Sequence, residues 1–589
     1  MAIHSDEIRF PASYRKGHPD PRRFREGSVE LSGPWRFLFD PEGKGRYLGY
    51  EKGLGDKARE ITVPFPYQCE RSGINLPGYD CPVVWYEKDL ELSPDSDRLI
   101  TFYGVDYKSE VYWNGSLVGL HEGGYDAFSV HIPASEIKEG VNRLVLRVED
   151  GNRPDEMRGK QKWRRENFAC YYTETTGIVR PVLLEKVGPS FISSFSFVAE
   201  ASGHLRFEYE VGGDEARSVR LSLLDHDGGA VLSADGKASD GSIEADVRDV
   251  IPWSPDNPYL YDVRIELISK SGDVVDTVLS YCGFASFAAK DGRIYMNGKD
   301  LYLKMVLDQD YHERSLTSPT EGEYLADLDA IVDYGFNGIR KHETIPCPLY
   351  SFYVDAMGLL ITCEIPSPLA YSLHGAKAYE PQMRAIIKGM RSHPSVIAYL
   401  CFNESWGVNE VSYSKEEQNF VKAMYLEAKS LVGSRFVIGN DGWEQVVTDI
   451  LSFHNYASSR DDLERTAGAM IDGMKKGENP PVVGVATKIF AGDYRYEGQP
   501  IVLSEFAGIA FQREAGDDGS WGYGDAVKGE EEYLTRYEDE LRFLHERPEI
   551  RGFCLTQISD VQQEKNGLLS YSREVKVDPK RIKKLHDAF

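Results

Sequence analysis

Long apolar runs are missing from this 589-residue chain: no stretch approaches the roughly 18 residues that a membrane-spanning helix requires. The opening segment, MAIHSDEIRFPASYRKGHPD, has no apolar core of the kind a secretory signal carries, so the expected compartment is the cytoplasm. Cysteine is sparse. The eight residues Cys69, Cys81, Cys170, Cys282, Cys347, Cys363, Cys401 and Cys554 show neither CxxC nor zinc-like spacing. Cys363 and Cys401 fall in apolar, strand-like runs, where a reduced thiol behaves as a small hydrophobe. No metal and no cofactor are expected. Positive charge is also short, with Lys+Arg 68 against Asp+Glu 94 and a net charge of −26. Such a surface repels phosphate backbones and anionic lipid, which argues against nucleic-acid binding and peripheral membrane attachment.

What is present suggests several packed units, since the chain is too long for one core. Two compositions meet near residue 285. Before it, short alternating runs such as RLITFYGV (98–105), SEVYWNGSLVGLHEGG (109–124) and RLVLRVEDG (143–151) are separated by turn signals. Within them Trp113-Asn114-Gly115 reads as a hairpin, because Asn-Gly accepts the positive φ of a type I′ turn. A second set of short strands includes HLRFEYEV (204–211), SVRLSLLD (218–225) and LYDVRIELIS (260–269). The reading is two β-sandwiches, over residues 1–185 and 186–285, the second immunoglobulin-like.

Residues 286–589 change to alternating strands and amphipathic helices. Eight apolar strand candidates occur: 301–307, 336–340, 359–364, 396–402, 435–439, 449–454, 500–505 and 552–557. Helical patterns separate most of them; the segment 321–335 puts Leu325, Leu328, Ile331 and Val332 on one face. The link between the fifth and sixth strands is too short for a full helix. Eight β/α units in this length predict a (β/α)8 barrel, whose active site lies on the loops after the strands.

Those strand ends are rich in polar groups. They include Asp308-Gln309, Arg340-Lys341-His342-Glu343, Glu364, Asn403-Glu404-Ser405-Trp406, His454-Asn455-Tyr456, Glu505 and Thr556-Gln557. Glu404 and Glu505 end the fourth and seventh strands, three apart on an eight-membered ring, so they can face each other across its mouth. Glycoside cleavage needs that pair: one neutral carboxyl to protonate the leaving oxygen, and one carboxylate opposite it. Asn403 and Trp406 can orient Glu404 and partly desolvate it, which favours its protonated form. Arg340 is placed to hold Glu505 ionised, and Tyr456 to donate to it. Asp308 and Gln309 either reach distal hydroxyls or cap the following helix. Glu364 has an alternative as ion-pair partner of Arg340, and Trp443 either stacks on a sugar or packs over the barrel end. His342 and His454 have no third metal ligand at helical spacing, so hydrogen bonding is expected of them. The basic, aromatic segment 153–174 either reaches over the barrel mouth or is a solvated loop.

At these residues the sequence resembles glycoside hydrolase family 2, the β-galactosidases, β-glucuronidases and β-mannosidases. The resemblance runs through GPWRFLFDP (33–41), VYWNGSLVGLHEGGYDAF (111–128), TTGIVRPVLLE (175–185) and WSPDNPYLYDV (253–263). It continues in the barrel through residues 336–367, HPSVIAYLCFNES (393–405) and PIVLSEF (500–506). It implies a sugar-binding jelly roll, an immunoglobulin-like domain and a catalytic TIM barrel, acting on a glycoside or oligosaccharide with retention. It assigns Glu404 as acid/base, Glu505 as nucleophile and Asn403 to the sugar 2-hydroxyl, with Arg340, His342, His454 and Tyr456 lining the site. It also implies a dimer or tetramer.

Two departures bear on specificity. The β-glucuronidases read the sugar carboxylate with an Asn-x-Lys motif; the corresponding stretch here is Glu564-Lys565-Asn566-Gly567, which should repel a uronic acid. Thr556-Gln557 stands where many relatives carry a Trp platform. LDQDYHERS (307–315), GKQKW (159–163) and TQISDVQQEKNGLL (556–569) look like a less characterised branch, for which galactosides, arabinosides and galactofuranosides stay open. The leading expectation is a β-galactoside. A catalytically silent carbohydrate-binding protein and an interaction scaffold are the readings from other classes.

Overall fold

A computed structural model describes residues 2–151, 153–512 and 519–589. Its first unit is a β-sandwich. Six antiparallel strands run in the order Arg59–Val63, Gly33–Phe39, Val83–Leu92, Gly140–Glu149, Lys108–Trp113 and Ser116–Glu122. Four more, Val29–Glu30, Val182–Val187, Asp97–Phe102 and Phe128–Ile132, form the facing sheet. Inward side chains such as Trp35, Phe37, Tyr86, Ile100, Phe102, Val111 and Leu146 fill the space between them. The hairpin at Asn114-Gly115 has positive φ at both residues, 50° and 88°, as its turn type requires.

The second unit packs a three-stranded sheet (Phe191–Ala199, His204–Gly212, Ser242–Asp246) on a four-stranded one (Ala230–Lys237, Ala216–Leu224, Tyr261–Ser269, Val274–Cys282). Along Ala216–Leu224, Val219, Leu221 and Leu223 point inward while alternate residues stay partly exposed, the period of two expected for a strand with one buried face.

The third unit is a nearly closed parallel barrel. Its strands are β1 (Leu303–Asp308), β2 (Gly338–Lys341), β3 (Leu360–Glu364), β4 (Val396–Leu400), β5 (Phe436–Ile438), β6 (Leu451–Asn455), β7 (Ile501–Ala507) and β8 (Ile550–Thr556). They pair in ring order 5-4-3-2-1-8-7-6, so every neighbouring pair except β5 and β6 forms a ladder. The seam is the short link, where Asp449 N donates to the Val437 carbonyl at 2.9 Å and no helix intervenes. Elsewhere helices α1 (Glu321–Asp333), α2 (Pro348–Met357), α3 (Leu373–Met390) and α4 (Lys415–Leu431) cover the strands. Apart from the half-buried Lys304 the barrel strands are buried, which explains their apolar runs.

Helix α1 starts where Thr320 accepts from the Glu323 N–H and Glu323 reaches back to the Thr320 N–H, a reciprocal cap. Its buried stripe runs through Tyr324, Asp327, Leu328 and Ile331. Leu325 and Val332, expected on that face, are only half-buried. The inward position goes instead to Asp327, whose carboxylate is paired with Arg573 at 2.9 Å.

The three units are joined by buried polar contacts. Arg180 of the first sandwich reaches Asp310 at 3.1 Å. Trp253 Nε1 of the second donates to the Asp355 carbonyl at 2.7 Å, and Tyr281 donates to the Asp355 carboxylate at 2.9 Å. Each anchors a sandwich to a loop or helix of the barrel, so the first sandwich is held close to the strand ends. No helix among the described residues is long and apolar enough to cross a membrane.

Candidate active site

The C-terminal ends of the barrel strands converge on a cluster of charges. Chain leaving β4 turns sharply at Glu404 and Ser405, both in the left-handed region with φ 50° and 62°. Such angles cost a non-glycine residue about 1–2 kcal/mol each. The turn is held by Glu404 N to the Asp441 carbonyl (2.9 Å), Ser405 N to Asn440 Oδ1 (3.1 Å) and Trp406 N to the Asn403 carbonyl (2.8 Å). Glu404 is thereby presented at the mouth, its side chain 22% exposed.

Glu505 lies inside β7 and is buried. A register irregularity in the β6–β7 ladder sets His454 opposite it. Its Oε1 is 3.0 Å from Arg340, 3.5 Å from His454 Nε2 and 4.0 Å from His342 Nε2. Tyr456 donates its phenolic proton to the other oxygen. Burial alone would push this carboxyl up, but His454, then Arg340 and His342, hold it below its ordinary value.

Arg340 is the hub. It reaches Glu364 (2.8 Å), Asp441 (2.7 Å), Glu505 (3.0 Å) and Asn403 Oδ1 (2.9 Å), and donates to the Ser504 carbonyl (3.1 Å). A guanidinium suits this task because it offers several fixed donors and cannot discharge. Glu364 is held down to about 2: burial opposes its charge, and Arg340 and then His342, at 3.0 Å, outweigh that opposition. Its ion pair with Arg340 is the alternative weighed from the sequence.

His454 bridges the two acids. Nδ1 is 2.8 Å from Glu404 Oε1, and Nε2 is 3.1 Å from Asp441. Burial opposes its charge, but Glu505 and Asp441 raise it to about 10, so the ring is an imidazolium at neutral pH. Trp443 meets this ring edge-on at 5.6 Å, packing on it. Gly442 allows the approach; a Cβ there would meet His454 Cε1 at 2.9 Å, and its φ is +91°.

Glu404, His454 and Glu505 offer ligand atoms within 4.8 Å of one another. Both ring nitrogens of His454 already face carboxylates, so the trio works as a charge-assisted hydrogen-bond cluster, with no nitrogen lone pair left for a metal. Helical spacing could not reveal the trio, because its members come from three different strands.

The remaining sequence-selected residues fall into a second group. Asp308 is buried on Lys341 at 2.6 Å; it neither caps a helix nor lies open to a ligand. Gln309 donates to Tyr172 (3.0 Å) and Gln557 (2.7 Å), Gln557 donates to Asn566 (2.8 Å), Asn566 donates to Glu564 (3.0 Å), and Tyr172 closes the ring by donating to Glu564. All five side chains are buried and most of their hydrogen-bonding groups pair with each other, while Gln309 Oε1 is buried without a partner among the described residues. Trp406 packs against Tyr171 at 5.3 Å with Lys160 Nζ 5.8 Å from its ring.

Three contributors escaped the sequence reading. Asp441 follows β5 and joins Arg340, His454 and Ser504 (2.9 Å); the strand-end rule applied to β5 would have found it. Tyr523 stacks flat on Tyr456, with centroids 3.4 Å apart, from a short strand that carries no motif. Tyr172 arrives from the first sandwich, within the basic, aromatic segment whose placement the sequence left open. A cavity of about 670 Å³ opens elsewhere, between both sandwiches and the barrel around Asp20, Tyr103, Phe195 and Arg391, and contains none of these carboxylates.

Residues 190–284 match the family model described as Glycosyl hydrolases family 2. The chain is similar to a putative β-glucuronidase of Formosa agariphila, 28% identical over 363 residues, 59% of this chain and 43% of that protein. It is also similar to a β-galactosidase of Halalkalibacterium halodurans, 22% identical over 457 residues, 69% of this chain and 44% of that protein. The chain thus spans under half the length of these two curated relatives. Among solved structures, the β-glucuronidase of Ruminococcus gnavus in complex with D-glucuronic acid superimposes with a TM-score of 0.77 at 20% identity, covering 98% of this chain and 99% of that one. At that identity the likeness establishes the three-unit fold.

Proposed function

We propose that the chain, which belongs to glycosyl hydrolases family 2, is a retaining exo-β-glycosidase with Glu404 as acid/base and Glu505 as nucleophile. The observation that carries this is the pair itself. Carboxylate oxygens within 4.8 Å leave no room for a water between the second carboxylate and the anomeric carbon, the spacing of a double-displacement enzyme. Two carboxylates so close resist ionising together. Cations and a phenol surround Glu505 and hold it negative, which suits the nucleophile and leaves the acid/base role to Glu404.

In the first step an oxygen of Glu505 bonds to the anomeric carbon while Glu404 gives its proton to the glycosidic oxygen, and the alcohol departs. Oε1 of Glu505 is buried against Arg340 at 3.0 Å, which holds the carboxylate charged and oriented. In the second step Glu404, now a carboxylate, removes a proton from water, whose oxygen displaces Glu505. His454 donates to Glu404 Oε1 and leaves Oε2 to carry the proton. Asn403 keeps its amide N–H groups for the sugar, because its oxygen is engaged by Arg340.

The sugar we favour is a β-galactoside. Asn566 stands where uronide-specific relatives carry the Lys of Asn-x-Lys, which withholds the cation that would pair with a carboxylated ring. A β-glucuronide is the second reading, favoured by the names of the relatives. A panel of nitrophenyl galactopyranoside, galactofuranoside, arabinosides, glucuronide and mannoside tests both. β-Galactopyranoside should be cleaved fastest and glucuronide least, with the β-anomer released first in an NMR time course. Preference for the glucuronide would reverse the order of the two sugars, and an α-anomer would exclude retention.

A further inference from the structure

Segment 153–174 leaves the first sandwich and lies along the barrel mouth. Arg158 N and Gly159 N both donate to the Ser367 carbonyl, at 3.3 and 3.1 Å. Gly159 has φ +58°, and a Cβ there would lie 2.1 Å from the Glu343 carbonyl, so backbone meets backbone at the end of β2. The far end is latched to the loop after β8 and to Trp521 in the segment after β7. Gln563 donates to the Ala169 and Tyr171 carbonyls (2.8 and 3.0 Å), Gln562 to Thr173 Oγ1 (2.9 Å), and Trp521 Nε1 to the Ala169 carbonyl (2.9 Å). Between these clamps sit Lys160 and Tyr171.

Tyr171 packs on Trp406, two residues beyond Glu404, and is backed by Trp163 (4.5 Å) and Phe168 (5.1 Å). Tyr171 and Trp406 are both only half-buried, so their outer faces are available. Lys160 Nζ stands over Trp406 and makes no ion pair or hydrogen bond among the described residues, although it lies in the field of Glu564, Glu505 and Glu404. A half-buried residue's ammonium without an acceptor, beside an aromatic wall, is a half-built contact. Since Trp406 adjoins the proposed acid, this wall lies on the side where the leaving oxygen must be.

We propose that residues 158–174 of the first sandwich form the leaving-group subsite, with Tyr171 and Trp406 as its wall and Lys160 as donor to a hydroxyl, and that the subsite selects ring-shaped leaving groups, sugar or aryl, over small alkyl alcohols. This rests on the reading above that Glu404 and Glu505 cleave a glycoside. The flat apolar face of a ring gains from an aromatic wall, whereas a short alkyl chain covers little of it. The clamps at both ends fix the wall before substrate arrives, so little ordering is lost on binding.

Benzyl and ethyl glycosides of the sugar that the enzyme hydrolyses test this, because the two alcohols have similar acidity and differ chiefly in the ring. The unmodified protein should show a kcat/KM ratio, benzyl over ethyl, of about ten or more. Tyr171→Ala should collapse that ratio toward one, while Tyr171→Phe keeps it. Lys160→Met should reduce kcat/KM for a disaccharide more than for the benzyl glycoside, since only the sugar offers hydroxyls to the ammonium. A ratio near one in the unmodified protein would overturn the proposal without any variant. So would equal losses on both glycosides in Tyr171→Ala and Tyr171→Phe, which mark a purely structural residue. If the unmodified protein hydrolyses no glycoside at all, the glycosidase reading fails first and this subsite with it.

Discussion

Glu404 and Glu505, on strands three places apart around the barrel, bring carboxylate oxygens within 4.8 Å of each other, and His454 touches the field of both. Their surroundings differ: Glu404 is partly open at the mouth, whereas Glu505 is buried among Arg340, His454, His342 and Tyr456. On the proposed mechanism, that asymmetry gives opposite tasks to two chemically identical side chains.

On the proposed mechanism, Glu505→Gln removes the nucleophilic carboxylate with almost no change in shape. kcat/KM on the best nitrophenyl glycoside should fall by about 10⁴-fold or more, while the circular-dichroism melt shows the variant still folded. A loss of less than about tenfold would mean that another group attacks.

Glu404→Ala should discriminate between leaving groups. A poor alkyl leaving group should lose about 10²–10⁴-fold, the usual worth of general acid catalysis, and a dinitrophenyl group far less, because it departs without a proton. Added azide should restore turnover and give a β-glycosyl azide. Equal losses for both leaving groups would remove Glu404 from the acid's role.

Arg340 is the shared partner of Glu364, Asp441 and Glu505, all buried. Arg340→Gln leaves those charges without a counter-ion. Removing one partner of a buried pair costs about 3–5 kcal/mol, and urea unfolding should show a loss in that range together with lost activity. Unchanged stability would mean that the three acids are neutral in the folded protein.

His454 gives a pH signature. Its folded value of about 10 lies above the ordinary 6.5, so the stability it contributes is fully present below pH 6.5 and is lost as pH rises through 10. The gap in melting temperature between the unmodified protein and His454→Gln should therefore be widest near pH 6 and narrow toward pH 10. A gap that widens with pH would mean that the buried ring is neutral.

Much of this arrangement was legible in the sequence. The eight barrel strands announce themselves as apolar runs because both faces are covered, and Glu404, Arg340, His454 and Glu505 stand at or beside their ends. Helix α1 shows the limit: a period of 3.6 finds the helix, but Asp327 takes an inward position because Arg573, distant in the chain, neutralises it. Likewise Gln309, Gln557, Glu564 and Asn566 look like sugar ligands from their strand-end and loop positions, yet Tyr172 from another unit closes them into a ring of mutual hydrogen bonds. Contacts between units carry no local pattern, so Lys160, Tyr171 and Tyr172 could be noticed only as members of an unusually basic, aromatic stretch.

The most direct test of the account is covalent. A 2-deoxy-2-fluoro glycosyl fluoride of the preferred sugar slows both steps but the second more, so the glycosyl-enzyme accumulates. Peptide mass spectrometry after such treatment should find one added fluorosugar on the peptide carrying Glu505 and none on that carrying Glu404. A label on Glu404, or turnover with an inverted product and no label at all, would contradict the account at its centre.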